Sequence, residues 1–260
     1  MINSLWISQT GMEAQQLQLD VIANNLANMS TNGFKKSQAV FQELMYVNLR
    51  QVGSATSEQN ILPIGLQIGL GVRPVGTSRH FTSGTMQQTN SQFDVAIEGH
   101  GFFQCTLPDG TIGYTRDGAF QVDNQGRMVT AGGLPIIGGI TVPSNAITVS
   151  IAPNGTVTAK IDGTVEPQQI GTITLVNFIN PAGLEPRGEN IYTETAASGQ
   201  PNAGAAGTNG LGTLRQGFVE ASNVNAVQEL VSMIQTQRAY ELNSKAIQTA
   251  DQMLQKLGQL

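Results

Sequence analysis

Proline-free stretches with an apolar or aromatic residue at every seventh position stand at both ends of this 260-residue chain, and the long middle has no such recurrence. From Ile2 to about Asn28 the recurrence runs Leu5, Met12, Leu19 and Leu26, with Ile22 at the intermediate position. It predicts a long helix with one narrow apolar seam. Thr31-Asn32-Gly33 supplies the stop, because Asn or Gly takes the left-handed conformation that satisfies a helix's last carbonyls. From Val224 to Leu257 the recurrence is Ala226, Met233, Tyr240, Ile247 and Leu254, with Leu230, Ala250 and Leu257 alongside. Ser222 or Asn225 caps this second helix, and Asn225 has Gln228 at capping-box spacing. A helix about 45 Å long with so narrow a seam gains little stability alone. Its partner is either the other terminal helix or the domain between them.

The middle follows a different period. Ile147, Val149 and Ile151 alternate with polar residues, Pro153-Asn154-Gly155 supplies a turn, and Val157, Ala159 and Ile161 alternate again, which predicts a β-hairpin. Further short runs cover 93–97, 102–107, 114–122, 127–130 and 172–178, punctuated by Asp109-Gly110, Asp117-Gly118, Gln125-Gly126 and Asp162-Gly163. The absence of strand-helix-strand alternation disfavours a parallel α/β sheet and its ligand crevice. The expected class is α+β, with terminal helices flanking an antiparallel β-rich domain. Two stretches read as connectors: 51–71, which mixes Gly, Ser, Pro and isolated aliphatics, and 196–212, dominated by Gly, Ala, Asn and Ser and expected to be a flexible loop.

Composition narrows the chemistry. Charged residues are only 12% and aromatic ones 5%, and the net charge of −5 comes with no basic cluster, so a phosphate backbone finds no footprint and nucleic acid is not an expected partner. Cys105 is the sole cysteine, which excludes an internal disulfide and a thiolate metal cage. His80 and His100 lack further ligands at metal spacing, so neither a metal nor any other cofactor is expected. Phosphate-loop and dinucleotide glycine patterns are absent. Asp94, Asp109, Asp117 and Asp123 stand mostly in or before turns, where Asp serves the backbone, so a glycosidase-like carboxylate pair is disfavoured. Trp6, the only tryptophan, flanks the first seam as a contact anchor or simple packing residue. The first residues carry no basic region and no apolar run of signal-peptide length, and no stretch approaches the roughly 20 apolar residues of a membrane span. These rules alone assign the chain to the cytoplasm, without a cleaved signal.

A family resemblance changes that assignment. Ala23-Asn24-Asn25-Leu26-Ala27-Asn28 followed by Thr31-Asn32-Gly33-Phe34-Lys35 resembles the N-terminal signature of the flagellar rod and hook proteins. Glu220-Ala221-Ser222-Asn223-Val224-Asn225 and Met233 to Glu241, with Gln237 and Arg238, resemble the family's other signature. The connector with Gly53, Leu62-Pro63-Ile64-Gly65 and Gly69-Leu70-Gly71 is similar to rod-type members, as are Asp94 to Ile97 and Gly99 to Phe103. The resemblance implies a structural subunit and no enzyme, divided into a core helix at 1–35, a rod-type connector at 36–72, an outer β-rich domain at 73–216 and a second core helix at 217–260. It implies that the two helices pair as a coiled coil, with Leu5, Met12, Leu19, Ile22, Leu26, Leu230, Met233, Tyr240, Ile247 and Leu254 as the assembly seam. It further implies export through the flagellar apparatus and assembly in the periplasm as a helical homopolymer that carries torque and encloses an export conduit. The partners would be proximal rod proteins, hook protein, P-ring and L-ring proteins and a rod cap. Two rivals stand beside it: another axial protein of the hook or proximal rod, and a free β-domain enzyme.

Overall fold

The computed structural model describes residues 2–50, 55–57, 60–61, 64–164 and 166–258. The chain divides into two compact units, one made of residues 1–27, 37–78 and 225–260, the other of 28–36 and 79–224. The stretch 28–36 follows the first helix in sequence yet takes its hydrogen bonds from the β-rich unit.

The helical unit holds α1 (Ile2–Ala27) and α2 (Ala226–Leu257). Asn225 caps α2, its side chain accepting from the amides of Val227 and Gln228, so two otherwise unserved donors at the helix start find a partner. Asn25 contacts Glu229 while Gln15 contacts Asn243, so the helices run antiparallel to each other. Strand Ser37–Glu43 pairs with Val72–Arg79, and Tyr46–Arg50 pairs with Leu66–Gly69 to form a separate two-stranded ribbon.

The β-rich unit is antiparallel. Its largest sheet has six strands in the order 185–188, 191–193, 112–115, 102–106, 174–177 and 202–205. A three-stranded sheet follows the order 146–151, 156–161 and 168–172, and contains the expected hairpin. The run expected at 172–178 is two strands, 168–172 and 174–177, that belong to different sheets, with the fully buried Ile173 between them. The connector at 196–212 includes strand Asn202–Ala205, which closes one edge of the six-stranded sheet. Its Gly and Ala content argues against a strand on propensity alone, but pairing with Thr174–Asn177 overrides it.

Alternation decides the core. Phe102 and Phe103 are neighbours on one strand, so their rings leave opposite faces of the sheet. Phe103 joins Val95, Ile97, Val149, Val157, Leu175 and Leu214 in one cluster. Phe102 joins Tyr114, Val176, Phe178 and Tyr192 in a second, with Phe81 packed against it edge-on. Tyr114 meets Phe178 at a centroid distance of 4.8 Å, near-perpendicular, which is the favourable edge-to-face geometry.

Candidate assembly site at the two chain ends

The two sequence signatures each divide into a part that serves the helical unit and a part that serves the β-rich unit. In the helical unit, Asn25 is 1% exposed and uses its carboxamide as a peptide bond would: Nδ2 donates to the Ser37 carbonyl at 2.8 Å and Oδ1 accepts from the Ser37 amide at 2.9 Å. The same Nδ2 reaches Glu229 Oε2 at 3.3 Å on α2. One side chain thus ties the end of α1, the start of the following strand and the start of α2. The neighbouring Asn24 is exposed, and Asn28 is half-buried, its Oδ1 accepting from the Thr31 hydroxyl at 3.2 Å.

In the β-rich unit, Gly33 adopts φ +68°, and a Cβ there would lie 2.6 Å from the Asp117 amide nitrogen. Only glycine fits that conformation and that approach. The Gly33 amide donates to the Glu220 carbonyl at 2.7 Å, and Asn190 Nδ2 donates to the Asn32 carbonyl at 3.0 Å. Asn223 repeats the Asn25 device: its Oδ1 accepts from the Lys36 amide at 2.7 Å, and its Nδ2 donates to the carbonyl of His80 at 2.8 Å and to the Thr82 hydroxyl at 3.0 Å. Phe34 is half-buried.

Sequence reasoning left out the group at the centre of this arrangement. Lys35 is fully buried, and its Nζ lies 2.7 Å from Glu220 Oε1 and 2.8 Å from the Thr82 carbonyl. Glu220, 1% exposed, also accepts from the Gly84 amide at 2.8 Å, and its Oε2 faces Arg116 Nη1 at 3.5 Å. Arg116 is buried in turn, donates to the carbonyls of Gly99 and Ile97, and lies over the Phe102 ring at 5.7 Å. Burial, the larger influence, lowers the Lys35 pKa against the opposing pull of Glu220, and Arg116 lowers it further. Burial also lowers that of Arg116. Lys35 and Glu220 were visible within the signatures, but a lone Lys and a lone Glu carry no signal of burial. Nothing in the sequence pairs them with Arg116.

The expected seam is divided by the helix packing. On α1, Ile22 is buried and Leu5, Met12, Leu19 and Leu26 are half-buried. On α2, Met233 and Ile247 are half-buried, while Leu230, Tyr240 and Leu254 are exposed. The buried positions of α2 are Glu229, Thr236 and Ala250, joined by half-buried Asn243, a seven-residue recurrence of small and polar residues. The α1 side answers in kind. Gly11 leaves room for Asn243, whose Nδ2 would lie 2.9 Å from an added Cβ, and Gln15 accepts from Asn243 at 3.4 Å. A cleft of about 240 Å³ lined by Gln15, Gln18, Ser232, Gln235, Thr236 and Ala239 opens along the pair. Val227, Leu230, Val231, Ile234 and Leu242 lie exposed on the opposite face of α2, and Gln237 and Arg238 are also exposed. Of the connector residues, Gly65 is half-buried, and Gly53 and Pro63 lie outside the described residues. Trp6 is exposed.

Among the described residues no three His, Cys, Asp or Glu side chains group to hold a metal ion, and no described helix is long and apolar enough to cross a membrane. Cys105 is buried, its thiol donating to the Gly113 carbonyl at 3.4 Å, and burial pushes its pKa up to about 11, away from the reactive thiolate. His80 and His100 are exposed.

The paired terminal helices, the antiparallel β-rich unit and the ordered polar network built from both signatures have the arrangement that the resemblance to the flagellar rod and hook class implies. Residues 5–35 match the family of flagella basal body rod proteins, residues 96–159 the D1 domain of the flagellar hook protein FlgE/F/G, and residues 215–260 the C-terminal family of flagellar basal body rod FlgEFG proteins. The chain is 56% identical over its full length to the whole of the flagellar basal-body rod protein FlgG of Buchnera aphidicola from Acyrthosiphon pisum. It is 48% identical to FlgG of Borreliella burgdorferi, across 98% of this chain and 97% of that one, and 40% identical to FlgG of Bacillus subtilis, across 100% and 99%. The chain belongs to the flagellar basal-body rod family and within it is most like the distal rod member. It is a structural protein of the flagellar basal body, not an enzyme, of a family that polymerises with itself and associates with other basal-body components.

Proposed function

We propose that this chain polymerises head to tail into the rigid distal rod, with its helices paired as a coiled coil in an inner layer, and that the tube transmits torque to the hook and encloses an export conduit. The observation that carries this reading is the two-faced α2: its small and polar residues face α1, while Val227, Leu230, Val231, Ile234 and Leu242 stay exposed. An apolar stripe of that kind marks a partner surface. A contact that does not close on itself generates an open helical tube. Copies of the chain occupy most of that surface; proximal rod proteins meet one end of the tube, and hook protein meets the other. P-ring and L-ring proteins surround the tube in the periplasm, and a rod cap sits at its growing tip. The flagellar export apparatus delivers the subunit without cleavage of a signal peptide.

The connector carries the stiffness. Its ribbon, Tyr46–Arg50 with Leu66–Gly69, exposes Tyr46, Val47, Leu49 and Leu66, flanked by exposed Met45 and Ile64. A two-stranded ribbon is marginal alone in water, so apolar contact with a neighbouring copy is its natural support. The experiment is electron microscopy of concentrated protein beside a variant lacking residues 51–65. Straight tubes from the intact chain and curved or flexible ones from the variant support the proposal. Equally straight tubes remove the connector from it, and tubes from neither remove self-driven polymerisation.

A further inference from the structure

Two clamps act on one short stretch of chain. At its base, in the helical unit, the Asn25 carboxamide holds both backbone groups of Ser37, which closes the stretch into a loop. At its tip, in the β-rich unit, Lys35 enters a fully buried site and meets the carboxylate of Glu220 at 2.7 Å. The backbone beside it is stitched from both sides, Gly33 to Glu220 and Lys36 to Asn223 and His80. The charges at the tip do not cancel. Lys35 and Arg116 are both cations, and Glu220 is the carboxylate that both of them face.

We propose that 28–36 is a charge-keyed latch: Lys35 is the key and Glu220 the socket, so the N-terminal signature stays seated in the β-rich unit only while strand Phe218–Glu220 is in place. The strand is itself paired with Met86–Gln88, so the socket exists only after two distant parts of the chain have met. The latch therefore makes the seating of 28–36 conditional on completion of strand Phe218–Glu220.

The charge count predicts an asymmetry that packing alone does not. Removing the Lys35 charge leaves Arg116 and Glu220 as a neutral pair, which the unit tolerates. Removing the Glu220 charge strands two buried cations, and uncompensated buried charge is strongly destabilising. Lys35→Met should open the latch and spare the unit; Glu220→Gln should open the latch and weaken the whole unit.

The test is amide hydrogen exchange on the full chain, read at Gly33 and Lys36 against strands Phe102–Thr106 and Thr174–Asn177. In Lys35→Met, exchange at Gly33 and Lys36 should rise by about a hundredfold, the scale of a broken buried charge pair, with the two strands unchanged. Adding Lys35→Met to Glu220→Gln should accelerate those two amides no further, since the latch is already open. Should Glu220→Gln fail to accumulate as folded protein while Lys35→Met does, the charge asymmetry is met directly. Unchanged exchange at Gly33 and Lys36 in Lys35→Met would overturn the proposal, because backbone bonds alone would then hold the stretch. Equal acceleration there and in the strands would also overturn it, making Lys35 an ordinary member of the core.

Discussion

At the scale of single residues, two asparagines and one glycine explain why the signatures have their spelling. Asn25 and Asn223 each satisfy a donor and an acceptor of the backbone at once, which aspartate cannot do because an ionised carboxylate has no hydrogen to donate. The resemblance marks these residues by position, but only the fold discloses that Asn24, one position away, is exposed while Asn25 is buried. A buried group the signatures do not contain gives a pH signature of its own. Burial holds the Cys105 pKa at about 11, above the ordinary 9.0, so the unfolded chain loses that proton first as pH rises. The stability this contributes is fully present below pH 9 and is lost progressively above it. Burial lowers the Lys35 pKa, so that group titrates in the opposite direction over the same range. The two are separated by comparing the wild type with Cys105→Ala. Between pH 8 and 10 the wild type should lose about 1 kcal/mol more than the variant, since about one pH unit of that window lies between the unfolded and folded pKa, measured by urea unfolding at each pH.

At the scale of elements, α2 shows what periodicity reveals and what it hides. Its existence and start were legible, because a proline-free stretch with a capping Asn225 leaves few alternatives, and the hairpin at 146–161 was legible from strict alternation on either side of the Pro153-Asn154-Gly155 turn. The face that packs on α1 was not. Counting apolar residues selects the recurrence Met233, Tyr240, Ile247 and Leu254, whereas Glu229, Thr236, Asn243 and Ala250 are the residues turned inward, and only the last of these is apolar. Apolar periodicity finds the face that avoids water, whereas the face turned to α1 here is set by small and polar residues that periodicity does not count. Strand Asn202–Ala205 escaped for a related reason: its Gly and Ala are poor strand formers, and a distant strand supplies the pairing that fixes it. The outward stripe carries a prediction. Val231→Asp with Ile234→Asp should leave the helicity of the dilute chain unchanged by circular dichroism, because neither residue faces α1. The same variant should sediment as monomer at concentrations where the intact chain polymerises. Loss of helicity instead would assign these residues to the monomer's own packing.

At the scale of the whole molecule, the two units differ in what holds them together. The β-rich unit has two apolar clusters, with Val95, Phe103, Val157, Ile173 and Leu175 at zero exposure, and tight packing of that kind is the dominant source of stability. The helical unit relies on a polar seam with a cleft along it and leaves much of its apolar surface uncovered. Burial-driven stability should therefore be unequal, and the chain should unfold in two steps. In urea, ellipticity at 222 nm, dominated by α1 and α2, should fall at lower denaturant than the near-ultraviolet signal of the Tyr114, Phe178 and Tyr192 cluster. Coincident transitions would instead mean that the units fold as one cooperative body. Polymerisation supplies the control, since a partner that binds only the folded helices stabilises them by mass action. In assembled tubes the first transition should move to higher urea and approach the second, which converts a polar seam that is weak in the monomer into a conditional one, closed fully only when a neighbouring copy covers the other face of α2.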